Sequence, residues 1–218
     1  HEQVAGKGQR GKAWYSERGS NILLSIVVKP QPLQVLQQFE LVACVAVAVH
    51  DFFVKYAGNE IRIKWPNDLY FKNRKAGGIL IENVIGDGEM LADNQHRSGQ
   101  WKWAIIGIGI NINQTHFSDD LPNPVSLKQI TGKDFDTVIL ARELCTYVDK
   151  YFQLLITGSF NSIYAQYLSY LYKRNEKVKL KKGSRVFEAV IKNVSASGKL
   201  IVQHSIEEEL SFGEVEWL

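Results

Sequence analysis

A short strand that runs into a proline is the feature that most limits the fold of this chain. Glu60-Ile61-Arg62-Ile63-Lys64 alternates in the manner of a strand and meets Trp65-Pro66-Asn67-Asp68. Proline lacks an N–H and fixes its own φ, so the ladder ends there and an Asn-Asp turn follows. Seven residues after Asp68 the next strand delivers Lys75 beside Ala76-Gly77-Gly78-Ile79. An amide, a carboxylate and an ammonium are thereby brought to bare backbone. Such a grouping suits a polyanion with a metal ion better than it suits a core. For Asn67-Asp68 the alternative is a plain Asx turn, and for Lys75 a solvated hairpin lysine.

A second signal lies upstream, in Gly6-Lys7-Gly8-Gln9-Arg10-Gly11-Lys12 followed by Trp14. Glycines at alternating positions let successive N–H groups point into one concavity that cradles an anion. The loop lacks the Gly-Lys-Ser/Thr of a P-loop. No strand precedes it, as a dinucleotide fingerprint would require.

At 218 residues and 45% hydrophobic content the chain is long enough for one core plus a small module. Its net charge of +3 does not by itself argue for nucleic acid. The longest apolar run, Leu41 to Val49, is too short to span a bilayer and fits a buried helix. No signal-peptide pattern opens the chain, and because it does not start with Met, upstream sequence is expected. Cys44 and Cys145 both fall in apolar helical pattern, as buried free thiols suited to a reducing cytoplasm. The five histidines show no zinc-ligand spacing.

Along the chain, the spacing predicts a strand over 21–29, a helix over 33–56 closed by Gly58, and strands near 60–65, 68–71, 76–84 and 102–112. A turn at Gly86-Asp87-Gly88 opens a polar loop over 86–100, and a second loop covers 113–126. Both loops are expected to be less ordered without ligand. Helical spacing returns at Thr137 to Leu155, on a face of Val138, Ala141, Leu144, Val148, Tyr151, Phe152 and Leu155, and again at Ser159 to Tyr172. From about residue 175 the period changes to two, in short strands that read as a small β-barrel. The reading is therefore an α+β fold with domains over 1–174 and 175–218.

Four segments then form a pattern. Gly-Lys-Gly-Gln-Arg-Gly-Lys-Ala-Trp (6–14), Lys-Trp-Pro-Asn-Asp (64–68), Lys-Ala-Gly-Gly-Ile-Leu-Ile-Glu (75–82) and Gly-Ile-Gly-Ile-Asn-Ile-Asn (107–113) stand in the order and near the spacing of biotin protein ligases. Pro122-Asn123-Pro124-Val125-Ser126-Leu127 resembles that family's segment after its mobile loop. The resemblance covers nearly the whole chain. It implies a mixed β-sheet packed with helices, the class II synthetase-like core of biotin–lipoyl ligases, and an SH3-like C-terminal barrel. The implied activity is ATP-dependent biotin–[acetyl-CoA-carboxylase] ligase. Biotin and ATP, with Mg²⁺, give biotinyl-5'-AMP, and the biotin passes to a lysine of a biotin carboxyl carrier protein domain. No winged-helix repressor domain is visible, which implies the single-function type. The implied partner is that carrier, with no DNA and no membrane, and with homodimerisation left open.

The resemblance also carries roles. Lys75 matches the lysine that contacts the biotin carbonyl and the α-phosphate. Asp68 would orient Lys75 or bind Mg²⁺. Gln3 matches a glutamine at the ureido end of biotin, and Gly6, Lys7 and Gly8 match the contacting loop. Gln9 stands where many members carry an arginine assigned to the phosphates, a role that falls to Arg10 or Lys7. Trp14 would cover the adenylate, unless it is a core tryptophan. Lys64, Trp65, Asn67, Gly77, Gly78 and Gly109 complete the implied substrate contacts. Asn111 matches an asparagine near the adenosine, the alternative being a buried strand-end amide. The family's Ser-Thr pair ahead of the glycine loop is missing from this sequence. A lipoate or octanoate ligase or transferase of the same fold family is the nearest alternative, and the Lys-Trp-Pro-Asn-Asp strand end speaks against it. A nucleic-acid-binding module is a remote one, since 176–205 offers only Phe187 for stacking.

Overall fold

A computed structural model describes residues 3, 6–8, 11, 13–86, 99–119 and 121–218. Two short strands, β1 (Gly6–Lys7) and β2 (Ala13–Trp14), pair antiparallel, with Gly6 opposite Trp14. The chain continues through β3 (Ile22–Val28), α1 (Gln38–Ala57), β4 (Ile61–Lys64), β5 (Asp68–Phe71), β6 (Arg74–Gly86) and β7 (Gln100–Ile110). Helices α2 (Leu127–Thr131), α3 (Thr137–Ile156) and α4 (Phe160–Ser169) follow. The last five strands are β8 (Lys177–Lys182), β9 (Arg185–Val194), β10 (Leu200–Gln203), β11 (Glu207–Leu210) and β12 (Glu216–Trp217).

The main sheet has the order β3-β7-β6-β5-β4, and its named strands pair antiparallel throughout. Its parallel component is confined to single bridges, Ile63 with Leu171 and Lys75 with Pro124. One face of β3 and β7 carries Ile22, Ile106, Ile108 and Ile110, all buried. Helix α1 packs on the same side of the sheet over β4, β5 and β6, and α3 meets β3. Seven consecutive residues of α1, Ala43 to Val49, are buried, so the helix is apolar nearly all round and lies between the sheet and other helices. The opposite face of the sheet carries Gly78, Gly107 and Gly109.

The helices depart from the sequence reading at four points. The first helix begins later than Leu33, because Gln34 is extended (φ −94°, ψ 164°) and a 3₁₀ turn over Val35–Gln37 leads into α1. The helix α2 was not expected. It is held by a capping box in which the Ser126 side chain accepts from Gln129 N–H, and it closes at Gly132 (φ +73°). On α3 the predicted Val138 stands exposed and Leu140 takes the core position, since Asp136 caps the helix through Val138 and Ile139 N–H and so sets its rotation. Helix α4 ends at Ser169 rather than Tyr172. The next residues join the edge of β4 instead: Ile63 N–H donates to Tyr170 at 2.9 Å, and Tyr172 N–H donates to Ile63 at 2.8 Å.

The C-terminal sheet has the order β11-β10-β9-β8-β12, all antiparallel, over a core of Leu180, Ala189, Ile191, Val194, Leu200, Val202 and Leu210. Among the described residues no ladder joins β11 to β12. Positions 87–98 of the expected loop, its Asp87-Gly88 turn residues included, lie outside the described residues, while Gly86 and Gln100 pair at the far end of the β6–β7 ladder. Cys44 is buried, which pushes its thiol up to about 12. Cys145 is only half-buried, and both are free thiols. No helix among the described residues is long and apolar enough to cross a membrane.

A polar knot fastens the helices to β4. His50 lies 3.3 Å from the Ile61 carbonyl and stacks on Tyr170 at 3.7 Å. Its Nδ1 is 3.0 Å from Asp51 Oδ1, and Tyr151 on α3 donates to the other Asp51 oxygen. Burial works against the Asp51 carboxylate, but the hydrogen bonds from His50 and Tyr151 outweigh it and hold the group below its ordinary value. A lowered carboxylate stabilises the fold above the unfolded pKa, and that stability is lost as pH falls through the folded one. Tyr151→Phe is therefore expected to cost about 1–3 kcal/mol at neutral pH. Urea unfolding as a function of pH checks this. The gap between the two proteins should narrow on the acid side, where Asp51 is protonated in both.

Candidate active site

The centre of the site is an ion pair on bare backbone. Lys75 Nζ lies 2.7 Å from Asp68 Oδ1, and both side chains are 30% exposed. Asp68 opens β5, two residues after the proline that follows β4, and lies opposite Gly78 of β6. In register, Gly78 lies opposite Gly109 of β7. Two strands thus present glycine side by side on one face, and Gly107 extends the strip. Any side chain would fill it. A Cβ at Gly78 would stand 3.1 Å from Asp68 Oδ1 and 3.4 Å from Lys75 Nζ.

Trp14 forms the cover. Its ring lies where a Gly109 side chain would be, with Cε2 and Cζ2 at 2.7 and 2.8 Å from the Cβ position. Lys75 Nζ is 5.9 Å from the ring centroid. The indole N–H is buried and has no partner among the described residues. Gly6 packs on the Trp14 carbonyl, with Gln3 Oε1 at 3.1 Å from the Cβ position of Gly6. Gly77 is pressed against the strand beside it, the Gly109 carbonyl lying 2.8 Å from its Cβ position.

Lys75 is anchored through its backbone. Its N–H donates to Asn123 at 2.8 Å, and its carbonyl accepts from Val125 at 2.9 Å. The end of the 113–126 loop is thereby stitched to the strand that carries the ammonium. Lys75 has three N–H donors and gives one to Asp68, so the others remain for an incoming anion. An ion pair this exposed adds little to stability. Glycine inside a strand costs about 0.5–1 kcal/mol relative to alanine. The arrangement thus favours ligand access over stability.

Some expected contacts point elsewhere. Asn67 is 3% exposed, and its amide donates to the Ile79 carbonyl while Ile79 N–H donates to the Asn67 carbonyl at 3.2 Å. Asn111 is 5% exposed and donates to Val125 at 3.2 Å. Both asparagines serve the backbone in this structure. Trp65 leaves the site altogether, donating from its indole to the Gly198 carbonyl at 2.9 Å. Lys64 lies opposite Asp68 in register. Lys7 is exposed beside Gly8, while Gln9 and Arg10 lie outside the described residues. The sequence reading missed Tyr70, which shares the Asp68 face of β5. Its hydroxyl is 3.3 Å from Lys64 Nζ. Burial, aided by the charge of Asp68, pushes its phenol above the ordinary value. Strict alternation along 68–71 was the available signal.

Residues 1–92 match the model of the Biotin/lipoate A/B protein ligase family. The chain is 32% identical over 173 residues to the Bifunctional ligase/repressor BirA of Bacillus subtilis, covering 78% of this chain and 49% of that one. It therefore spans about half the length of the Bacillus relatives it matches. It is 27% identical over 208 residues to the Biotin--[acetyl-CoA-carboxylase] ligase of Paracoccus denitrificans, covering 93% of this chain and 81% of that one. The fold is that of biotin protein ligase from Aquifex aeolicus, solved in complex with biotin and ATP, with TM-score 0.79, 24% identity, and coverage of 100% of this chain and 86% of that one.

Gly109→Ala would place a methyl 2.7 Å from Trp14 Cε2, so the ring must leave the glycine strip. Acrylamide quenching of tryptophan fluorescence is expected to rise in Gly109→Ala and to stay unchanged when the same substitution is made in Trp14→Phe.

Proposed function

We infer the function of this chain from its similarity to the Biotin/lipoate A/B protein ligase family, whose model residues 1–92 match. It activates biotin with ATP and passes the biotin to a lysine of a carrier domain, that of the biotin carboxyl carrier protein of acetyl-CoA carboxylase. The observation that carries the reading is the Lys75–Asp68 pair at 2.7 Å over facing Gly78 and Gly109, beneath Trp14.

A biotin carboxylate oxygen attacks the α-phosphorus of ATP, the bond to the bridging oxygen breaks, and pyrophosphate leaves. Two anions must meet, and the transition state spreads charge over phosphate oxygens. Lys75 supplies fixed positive charge at that place, and Asp68 holds its ammonium in position. The glycine strip lets the acyl chain and phosphate lie close to backbone N–H groups. In the second step the neutral amine of the carrier lysine attacks the acyl carbon. AMP leaves with the bonding pair, and the amine's proton passes to solvent. The chain needs no nucleophile of its own.

Mg²⁺ enters with ATP as part of the substrate. Among the described residues no group of three or more His, Cys, Asp or Glu could hold a metal ion. Asp68 would hold the ion through the oxygen that Lys75 does not use. We assign the chemistry to residues 1–174, with 175–218 an appended module, a reading that its separate sheet supports. Two free cysteines support a cytoplasmic location.

Biotin-dependent exchange of labelled pyrophosphate into ATP is the test. Wild type is expected to exchange, and Lys75→Ala to lose about 10²–10³ of the rate. Exchange with lipoate in place of biotin would move the chain to the lipoate branch. An unaffected Lys75→Ala would overturn the assignment of the site.

A further inference from the structure

Neighbouring residues of β4 and the turn after it, Lys64 and Trp65, point to opposite sides of the strand, and the C-terminal module holds both. Trp65 donates to Gly198 and meets the Phe212 ring at 5.8 Å. On the other side the Lys64 ammonium lies 5.0 Å from the Trp217 ring centroid and 4.9 Å from that of Tyr70. Tyr172 closes the group, 5.1 Å from Tyr70 and 6.0 Å from Trp217. Lys64 is thus enclosed by aromatic rings on the face that carries Asp68, its partner in register.

Trp217 is well placed to hold it. It belongs to β12, pairs with the fully buried Leu180 of β8, and is followed by Leu218, whose N–H donates to Lys179 at 3.0 Å. Its position is therefore set by the module's own sheet. A lysine stem left loose must give up rotamer freedom when a ligand binds. Rings that hold the ammonium beforehand remove that cost, and a cation gains more from a ring face as water is excluded.

We propose that Trp217, with Tyr70, is a positioning residue that holds the Lys64 ammonium beside the Lys75–Asp68 pair for the nucleotide phosphates, so that the C-terminal module tunes nucleotide binding through one side chain. This rests on the adenylating reading above. The module is accordingly a working part of the site.

The experiment is ATP-dependent pyrophosphate exchange in wild type, Trp217→Phe, Trp217→Leu, Lys64→Ala and the Lys64→Ala/Trp217→Leu double variant, with ATP affinity measured by calorimetry in the same proteins. Leucine keeps apolar bulk in β12 but has no ring face, so packing and cation binding are separated. Trp217→Leu is expected to raise the KM for ATP by about 5–30-fold, with kcat and the KM for biotin much less affected. Trp217→Phe should stay near wild type. In the Lys64→Ala background the leucine substitution should add nothing. Equal ATP constants in Trp217→Leu and wild type, or an undiminished effect in the Lys64→Ala background, would overturn the proposal. Should wild type exchange no pyrophosphate at all, the adenylating reading falls. The calorimetric ATP affinities then decide the Trp217 proposal by the same comparison.

Discussion

An ammonium and a carboxylate held 2.7 Å apart over bare backbone are what the rest of the molecule serves. In water a pair this exposed contributes almost nothing to folding, and the glycines beneath it weaken two adjacent strands. The cost is offset elsewhere, by a helix buried over Ala43 to Val49 and by a long β6–β7 ladder that needs no side chains at Gly78 and Gly109 to hold its register. A stiff sheet fixes Asp68 and Lys75 on neighbouring strands. The site then presents charge to an anion without first having to reorganise.

The Lys-Trp-Pro-Asn-Asp segment divides its labour residue by residue. Asp68 faces the site. Asn67 turns its amide into β6 and keeps the turn against Ile79. Trp65 reaches into the C-terminal module, and Tyr167 donates to the Pro66 carbonyl at 2.9 Å. Lys64 returns to the site face between Tyr70 and Trp217. Most of this motif is scaffolding that fixes where two charges stand, and scaffolding is as exacting about residue type as chemistry is.

The strands, α1, α3 and the facing glycines were legible because each rests on local pattern: alternation, helical period, and residues without side chains. The Lys75–Asp68 pairing was legible as an option, since a turn and a hairpin bring the two strands together. Long-range contacts decided the remainder. Whether the amides of Asn67 and Asn111 face a ligand or the backbone depends on Ile79 and Val125, which lie 12 and 14 residues further along, on other segments. Helix α4 stops early because Tyr170 and Tyr172 pair with Ile63, a partner more than a hundred residues away. The aromatic enclosure of Lys64 needs the last strand of the chain. Helix α2 is a different case, because Ser126, Gln129 and Gly132 spelled a capping box and a stop in plain sequence.

The central claim is that the glycine strip between β6 and β7 is where the reacting groups lie. Mass-spectrometric detection of biotinyl-adenylate, formed from biotin and ATP by wild type and by Gly78→Val, tests it most directly, with urea unfolding to confirm that the variant is folded. A valine there would crowd Asp68 Oδ1 and Lys75 Nζ, which lie 3.1 and 3.4 Å from the Cβ position. Wild type should form the adenylate and folded Gly78→Val should not. Equal formation by the folded variant would contradict the account.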